Sequence, residues 1–394
     1  MTDGNQSNCA WKEGYSTSRF MLISGASLVS CVGIVCNLVL VYLFWGAPSK
    51  RLKSPTLYLG VIAIYDFGLC VIYLLLFEMD AFAYYLRIKL AYDLYYSYLK
   101  SAFISSKALQ LGIPYLLMFA TFERYLVTTQ KSSGIWKLFL GRTGRRFICF
   151  AIVFLSFSVR IPLFWAYKLY IFVDCTDPFN SKDIAPTAFF HSAEFYFWDF
   201  YVLQTLQIFL PFVVLVSLNA MIVLKLRDMK RDRRASFFVQ RGIGSALGQM
   251  SLIANVSGRG VSLEIRTQLQ EDNRKVRNAI STLSIICATY LVCNVLNVIL
   301  TVMERLKAPI LFDPTTKSFS ELYVLLGDVL SFLYMLCSVL RLFIYYSFNL
   351  EFRSELRRLL RRSKSRMKRH TTSQNNEQQP LIDRQSDTGW WLFA

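Results

Sequence analysis

Charge and histidine are what this sequence has least of. Of its 394 residues, 18% are charged and two are histidine, whereas 54% are hydrophobic. A soluble domain carries more charge and fewer long apolar runs, so composition indicates a membrane protein. His191 and His370 both lie outside the apolar runs and there is no Cys-x-x-Cys pair, so intramembrane metal chemistry lacks a ligand set. No enzymatic activity, cofactor or metal is expected. Residues 1–19 are polar and lack an apolar core. No cleavable signal peptide is therefore expected, and the first apolar run should double as the insertion signal. No internal repeat is visible, which weighs against a transporter made of duplicated halves. The last apolar run, 320–347, has no lysine to form a retinal Schiff base. No cysteine follows Cys337, so the tail offers no palmitoylation site.

What the chain does have is seven apolar stretches near the ~20 residues needed to cross a bilayer. They cover 20–45, 56–79, 98–127, 147–171, 200–226, 277–303 and 320–347. The expected fold class is an all-α membrane protein, a seven-transmembrane helix bundle with a short amphipathic eighth helix. Lys107, Asp328 and Arg341 interrupt the third and seventh stretches, so six spans and a buried re-entrant segment remain the alternative.

The formal charge of +18 lies in loops and tail. That placement speaks for membrane topology and against a nucleic-acid partner. Basic residues concentrate in the loops 46–55 and 128–146, in 225–234, and at the start of the tail from 350; the 128–146 loop has no acid at all. These segments share one side if the chain crosses seven times. The N-terminus (1–19) is then expected outside, and the tail inside, of a multi-pass plasma-membrane protein. The core domain is 20–348, with a flexible Gly/Ser-rich third inner loop over 227–276. An amphipathic helix over 349–362 alternates Leu350, Phe352, Leu356, Leu359 and Leu360 with arginines, which suits anionic lipid. A disordered tail over 363–394 is expected to follow.

Ionisable residues inside the spans are costly, and each calls for a partner or a function. Asp66, Lys107, Arg160, Asp328 and Arg341 are the set, and they keep a transporter or channel in view. Glu123-Arg124-Tyr125 ends the third run and belongs at the membrane boundary or in a hydrated cleft. Lys107 and Gln110 are three residues apart and share a helix face. Lys107 precedes Arg124 by 17 residues, about 25 Å of α-helix, which places it near the outer third of the bundle. Arg233-Arg234-Ala235-Ser236 resembles a basophilic kinase site, and Thr371, Thr372 and Ser373 are further candidate phosphorylation sites. Asn5-Gln6-Ser7 is a glycosylation sequon on the expected outer side.

Seven spans, an outside N-terminus and Glu123-Arg124-Tyr125 together resemble the rhodopsin-like (class A) G-protein-coupled receptors. Asn37 in Gly33-Ile34-Val35-Cys36-Asn37, Asp66 in Ile62-Ala63-Ile64-Tyr65-Asp66 and Pro211 match that family's first-, second- and fifth-span positions. Arg341-Leu342-Phe343-Ile344-Tyr345 occupies the slot of Asn-Pro-x-x-Tyr. Two departures, Tyr290-Leu291-Val292-Cys293-Asn294 in the sixth span and Arg160-Ile161-Pro162 closing the fourth, resemble invertebrate FMRFamide-type neuropeptide receptors, including the nematode group. The resemblance covers roughly residues 20–360.

The resemblance implies an extracellular peptide ligand of the RFamide type and a heterotrimeric G protein meeting Arg124, with Glu123, Tyr125 and Tyr345 in the switch. It also implies arrestin and kinases acting on the tail. A chemosensory receptor for a small molecule is the alternative. Relatives hold sodium between the second-span aspartate and a seventh-span asparagine; here Arg341 is expected to pair with Asp66 and displace it, unless it snorkels to the cytosol. Asn294 and Asn297 are expected to hydrogen-bond between helices in place of the missing Trp and Pro. For an Arg-Phe-amide terminus the pocket needs an acid and an aromatic cleft, so Glu304 and Asp328 join Lys107, Gln110 and Trp198 as ligand-binding candidates. Relatives also bridge the second outer loop to the third helix. Cys175 fits the loop position but the helix position near Leu99 has no cysteine. A Cys9–Cys175 bridge, a free Cys175 and an intermolecular bond all remain open.

Overall fold

A computed structural model describes residues 17–46, 56–129, 134, 139–173, 175, 177–247, 259–306, 308–311, 320–349 and 352–361. Asn5, Cys9, Thr371, Thr372 and Ser373 lie outside these residues, and Ser236 is described in its backbone alone. Among the described residues seven helices are long and apolar enough to cross a membrane: Thr17–Gly46, Leu57–Tyr84, Lys89–Thr128, Arg142–Ala166, Ala193–Lys225, Ile280–Arg305 and Leu322–Phe348.

Their regular α-helical parts are α1 (Thr17–Val41), α2 (Thr56–Tyr73), α3 (Lys89–Thr128), α4 (Arg142–Ser158), α5 (Leu210–Leu247), α6 (Arg259–Arg305) and α7 (Glu321–Phe348). Ser320 starts α7, its hydroxyl accepting the Tyr323 N–H at 3.3 Å. α3 packs against α2, α4, α5 and α6, and α7 packs against α1, α2 and α6, which closes the ring. The core runs through the centre of this bundle, from Leu40 and Tyr58 to Leu116, Leu215, Ile286 and Tyr345. Helical turns over 352–361 follow α7, with Phe352 fully buried against Phe44 and Tyr345.

Among the described residues the spans hold four π-helical stretches, at Tyr42–Gly46 after α1, at Leu74–Glu78 after α2, and at Phe197–Leu203 and Thr205–Phe209 before α5. A π turn misaligns backbone carbonyls that lipid will not hydrate, so side chains must satisfy them. Tyr98 donates to the Leu75 carbonyl and Tyr115 to the Leu206 carbonyl, both at 2.9 Å. Arg305 donates to the Phe200 carbonyl and to the Thr205 hydroxyl, each at 3.1 Å. Three of the four irregularities are thus met by polar side chains from α3 and α6.

Beyond α4 the chain forms a short helical turn (Leu163–Ala166) and an antiparallel hairpin, β1 (Tyr167–Ile171) with β2 (Lys182–Pro186), in the register Tyr167↔Pro186 to Ile171↔Lys182. The expected fourth run, 147–171, therefore ends early, because Arg160-Ile161-Pro162 halts the helix and Tyr167–Ile171 pairs as a strand. The hairpin lies over the start of α3: the Lys182 N–H donates to the Tyr92 hydroxyl at 2.8 Å, and Lys182 Nζ reaches Asp93 at 2.6 Å. Its loop is tied down by Arg87 on Asp177 at 2.6 Å. The Phe179 N–H and the Arg87 guanidinium hold the Asp177 carboxyl below the ordinary carboxylate range.

The segment 227–276, whose composition reads as a flexible loop, is helical backbone over 227–247 and 259–276. Arg, Lys, Gln and Leu, all good helix formers, occur in both parts, and helices begun in the spans propagate through them at little cost.

Gly33 marks the closest approach of α1 to α2 and α7. A Cβ there would stand 2.6 Å from Cys70 Sγ and 3.0 Å from a Val339 methyl. Gly33→Val should therefore lower stability by about 1–3 kcal/mol through overpacking. Thermal unfolding of the purified protein checks this; an unchanged midpoint would show that the three helices separate freely there.

Candidate functional site

At the hairpin end the bundle opens into a cavity of about 560 Å³. Its lining is unusually charged for a site between membrane-spanning helices: Lys107 and Arg160 face Asp199, Glu304 and Asp328. Gln110, Gln207, Asn297, Tyr323 and Tyr334 add neutral polar groups. Arg160, buried just past α4, donates to Asp199 at 3.1 Å and also to Gln207. Asp328 accepts from Arg19 of α1 at 3.2 Å, and Glu304 accepts from the Tyr323 hydroxyl at 2.8 Å. Gln110 donates to Ser106 on its own helix at 3.1 Å.

Four of the ligand-binding candidates named from sequence, Lys107, Gln110, Glu304 and Asp328, meet in this cavity. Trp198 is not among its lining residues and is 37% exposed. The reason is angular: Asp199 faces inward, and adjacent residues of a helical segment do not share a face. The Arg160–Asp199–Gln207 group was not foreseen, since no spacing in the sequence joins 160 to 199 and 207.

Below the cavity lies a buried polar layer. Asp66 of α2 and Arg341 of α7 form an ion pair, 1% and 4% exposed in their side chains. Arg341 does not snorkel. Asn37 donates to Ser338 and to the Gly33 carbonyl, both at 2.9 Å, and Ser30 donates to the Cys70 carbonyl at 2.7 Å. The two asparagines of α6 divide: Asn297 reaches the Tyr334 hydroxyl of α7 at 2.8 Å, whereas Asn294 donates to Tyr290 of its own helix at 2.8 Å. A short amide one turn past a backbone carbonyl of its own helix can take that local bond instead of one to a neighbouring helix.

At the opposite end Glu123 and Arg124 are both buried. Arg145, from the first turn of α4, reaches Glu123 at 3.0 Å, a partner that sequence proximity did not suggest. Arg124 lies within electrostatic reach of Glu123, Arg145 and the buried Tyr345 of α7. Tyr125 is partly buried. A smaller cavity of about 240 Å³ opens beside Glu123 among Tyr58, Phe122, Leu126 and Phe139. Cys175, beside the hairpin, is disulfide-bonded, and Cys31, Cys36, Cys70, Cys149, Cys287, Cys293 and Cys337 are free thiols. Cys9, the mate considered from the sequence, lies outside the described residues.

No family model and no curated protein matches the chain.

Removing one member of a buried ion pair leaves the other charge uncompensated. Asp66→Asn or Arg341→Gln alone should cost about 3–5 kcal/mol of stability. The double variant should cost clearly less than the sum of the two. Unfolding midpoints for the full cycle are the check, and strict additivity would show that the two side chains act independently.

Proposed function

We propose that this chain is a rhodopsin-like G-protein-coupled receptor of the plasma membrane, with its N-terminus extracellular and its tail cytoplasmic. The observation that carries the reading is the pairing, in one seven-helix bundle, of a charged cavity at one end with a buried Glu123-Arg124 beside Tyr345 at the other. A ligand entering the first can shift helices whose far ends bound the second. The basic 128–146 loop and tail support a cytosolic Arg124 end under the positive-inside rule.

In this reading the ligand is an extracellular peptide, RFamide-like peptides being the first class to screen. Arg124 receives a heterotrimeric G protein once the Arg145–Glu123 contact and its surroundings rearrange. Residues 352–361 act as the eighth helix on the bilayer surface, with Leu356 and Leu359 turned inward and Arg357, Arg358 and Arg361 towards anionic headgroups. The fixed charge of Arg341 stands where relatives hold a mobile sodium ion. Kinases and arrestin would act on Ser236 and the tail threonines. A small-molecule ligand is the second reading, favoured by a cavity within the ~300–1,000 Å³ range of such sites.

A screen of a neuropeptide library against the full-length protein, with calcium and cyclic-AMP readouts, tests the proposal. A hit should be lost in Arg124→Ala with surface expression intact, and its potency should not change when sodium is replaced by choline. Substrate flux without G-protein activation would replace the receptor reading with a transporter.

A further inference from the structure

The charges around the hairpin-end cavity do not close among themselves. Two of its three carboxylates are answered by arginines: Asp199 by Arg160 at 3.1 Å and Asp328 by Arg19 at 3.2 Å. That leaves Lys107 of α3 and Glu304 of α6. Among the described residues Lys107 has no carboxylate within 4.0 Å, and its Nζ stands 5.4 Å from the centre of the Phe103 ring. Among the same residues Glu304 is met by the Tyr323 hydroxyl, a neutral donor, and by no cation within 4.0 Å. Both side chains reach the same cavity from different helices. A lysine and a glutamate facing a shared space without touching present one positive and one negative group to whatever fills it. In so dry a setting each is costly until matched.

We infer that the cavity takes a dipolar ligand, one that carries a carboxylate for Lys107 and a cationic group for Glu304. The inference rests on the receptor reading only for the word ligand; the charge complement belongs to the cavity itself. It adds a requirement that an arginine and an aromatic ring alone do not meet. A peptide terminus with Arg but no acid would satisfy Glu304 and leave Lys107 unanswered. An acid within the same short segment completes the match. The cavity volume of about 560 Å³ admits a segment of two to three residues rather than a whole peptide.

The test uses the full-length protein in lipid nanodiscs and a library of N-acetylated tripeptide amides. Each position is varied among Asp, its neutral isostere Asn, Arg, its neutral isostere citrulline, and Phe; binding is read by thermal stabilisation. Members with both Asp and Arg should bind, and either neutral isostere should weaken binding at least about tenfold, the loss of one charge-assisted contact. Lys107→Gln should erase the preference for Asp over Asn and leave that for Arg over citrulline. Glu304→Gln should do the reverse, and Lys107→Arg should keep both. Equal binding of charged and neutral members, no binding by any dipolar member, or selectivity that survives Lys107→Gln would each overturn the inference. Dipolar-selective binding without nucleotide exchange on an added G protein would support the cavity assignment while removing the receptor reading.

Discussion

The buried pair of Asp66 and Arg341 is the constraint around which the bundle is arranged. Each charge alone would cost at least ~2.5–3.5 kcal/mol at the centre of a membrane-spanning helix. Together they are tolerable only while α2 and α7 keep the geometry that joins them. α7 also packs on α1 and α6, and Asn37–Ser338 and Asn297–Tyr334 bind it there. The pair therefore holds the helix whose first half lines the charged cavity and whose far end carries Tyr345. Any displacement of α7 against α2 must either preserve this contact or break it at high cost.

The same logic recurs in the π turns. Lipid supplies no hydrogen bonds, and three of the π stretches draw a donor from a neighbouring helix: Tyr98, Tyr115 and Arg305. These bonds join α3 to the stretch after α2, α3 to the approach of α5, and α6 to the approach of α5. Helix contacts around the cavity are thereby made by hydrogen bonds as well as by van der Waals packing, the two forces that associate helices in lipid.

Much of this was legible in the sequence because a bilayer imposes a length and a polarity on every crossing. Seven runs located all seven candidate spans, and the cost of buried charge, together with the resemblance that sets Asp66 and Arg341 at one polar site, pointed to their pairing. Contacts between residues far apart in sequence were less legible. Arg145 with Glu123 and Arg160 with Asp199 depend on helix rotation, which hydropathy does not report. Trp198 was misplaced for the same reason, being one residue from the inward-facing Asp199. The helices running through 227–247 and 259–276 were hidden by scattered glycines and serines, whose local preference yields to a helix already nucleated in the membrane.

The account stands or falls on Asp66 being an ionised partner of Arg341 in the folded protein. Infrared difference spectroscopy between the intact protein and Asp66→Asn addresses that directly. The account predicts that the substitution removes a carboxylate stretching band. Loss of a protonated carboxylic acid carbonyl band instead would contradict it.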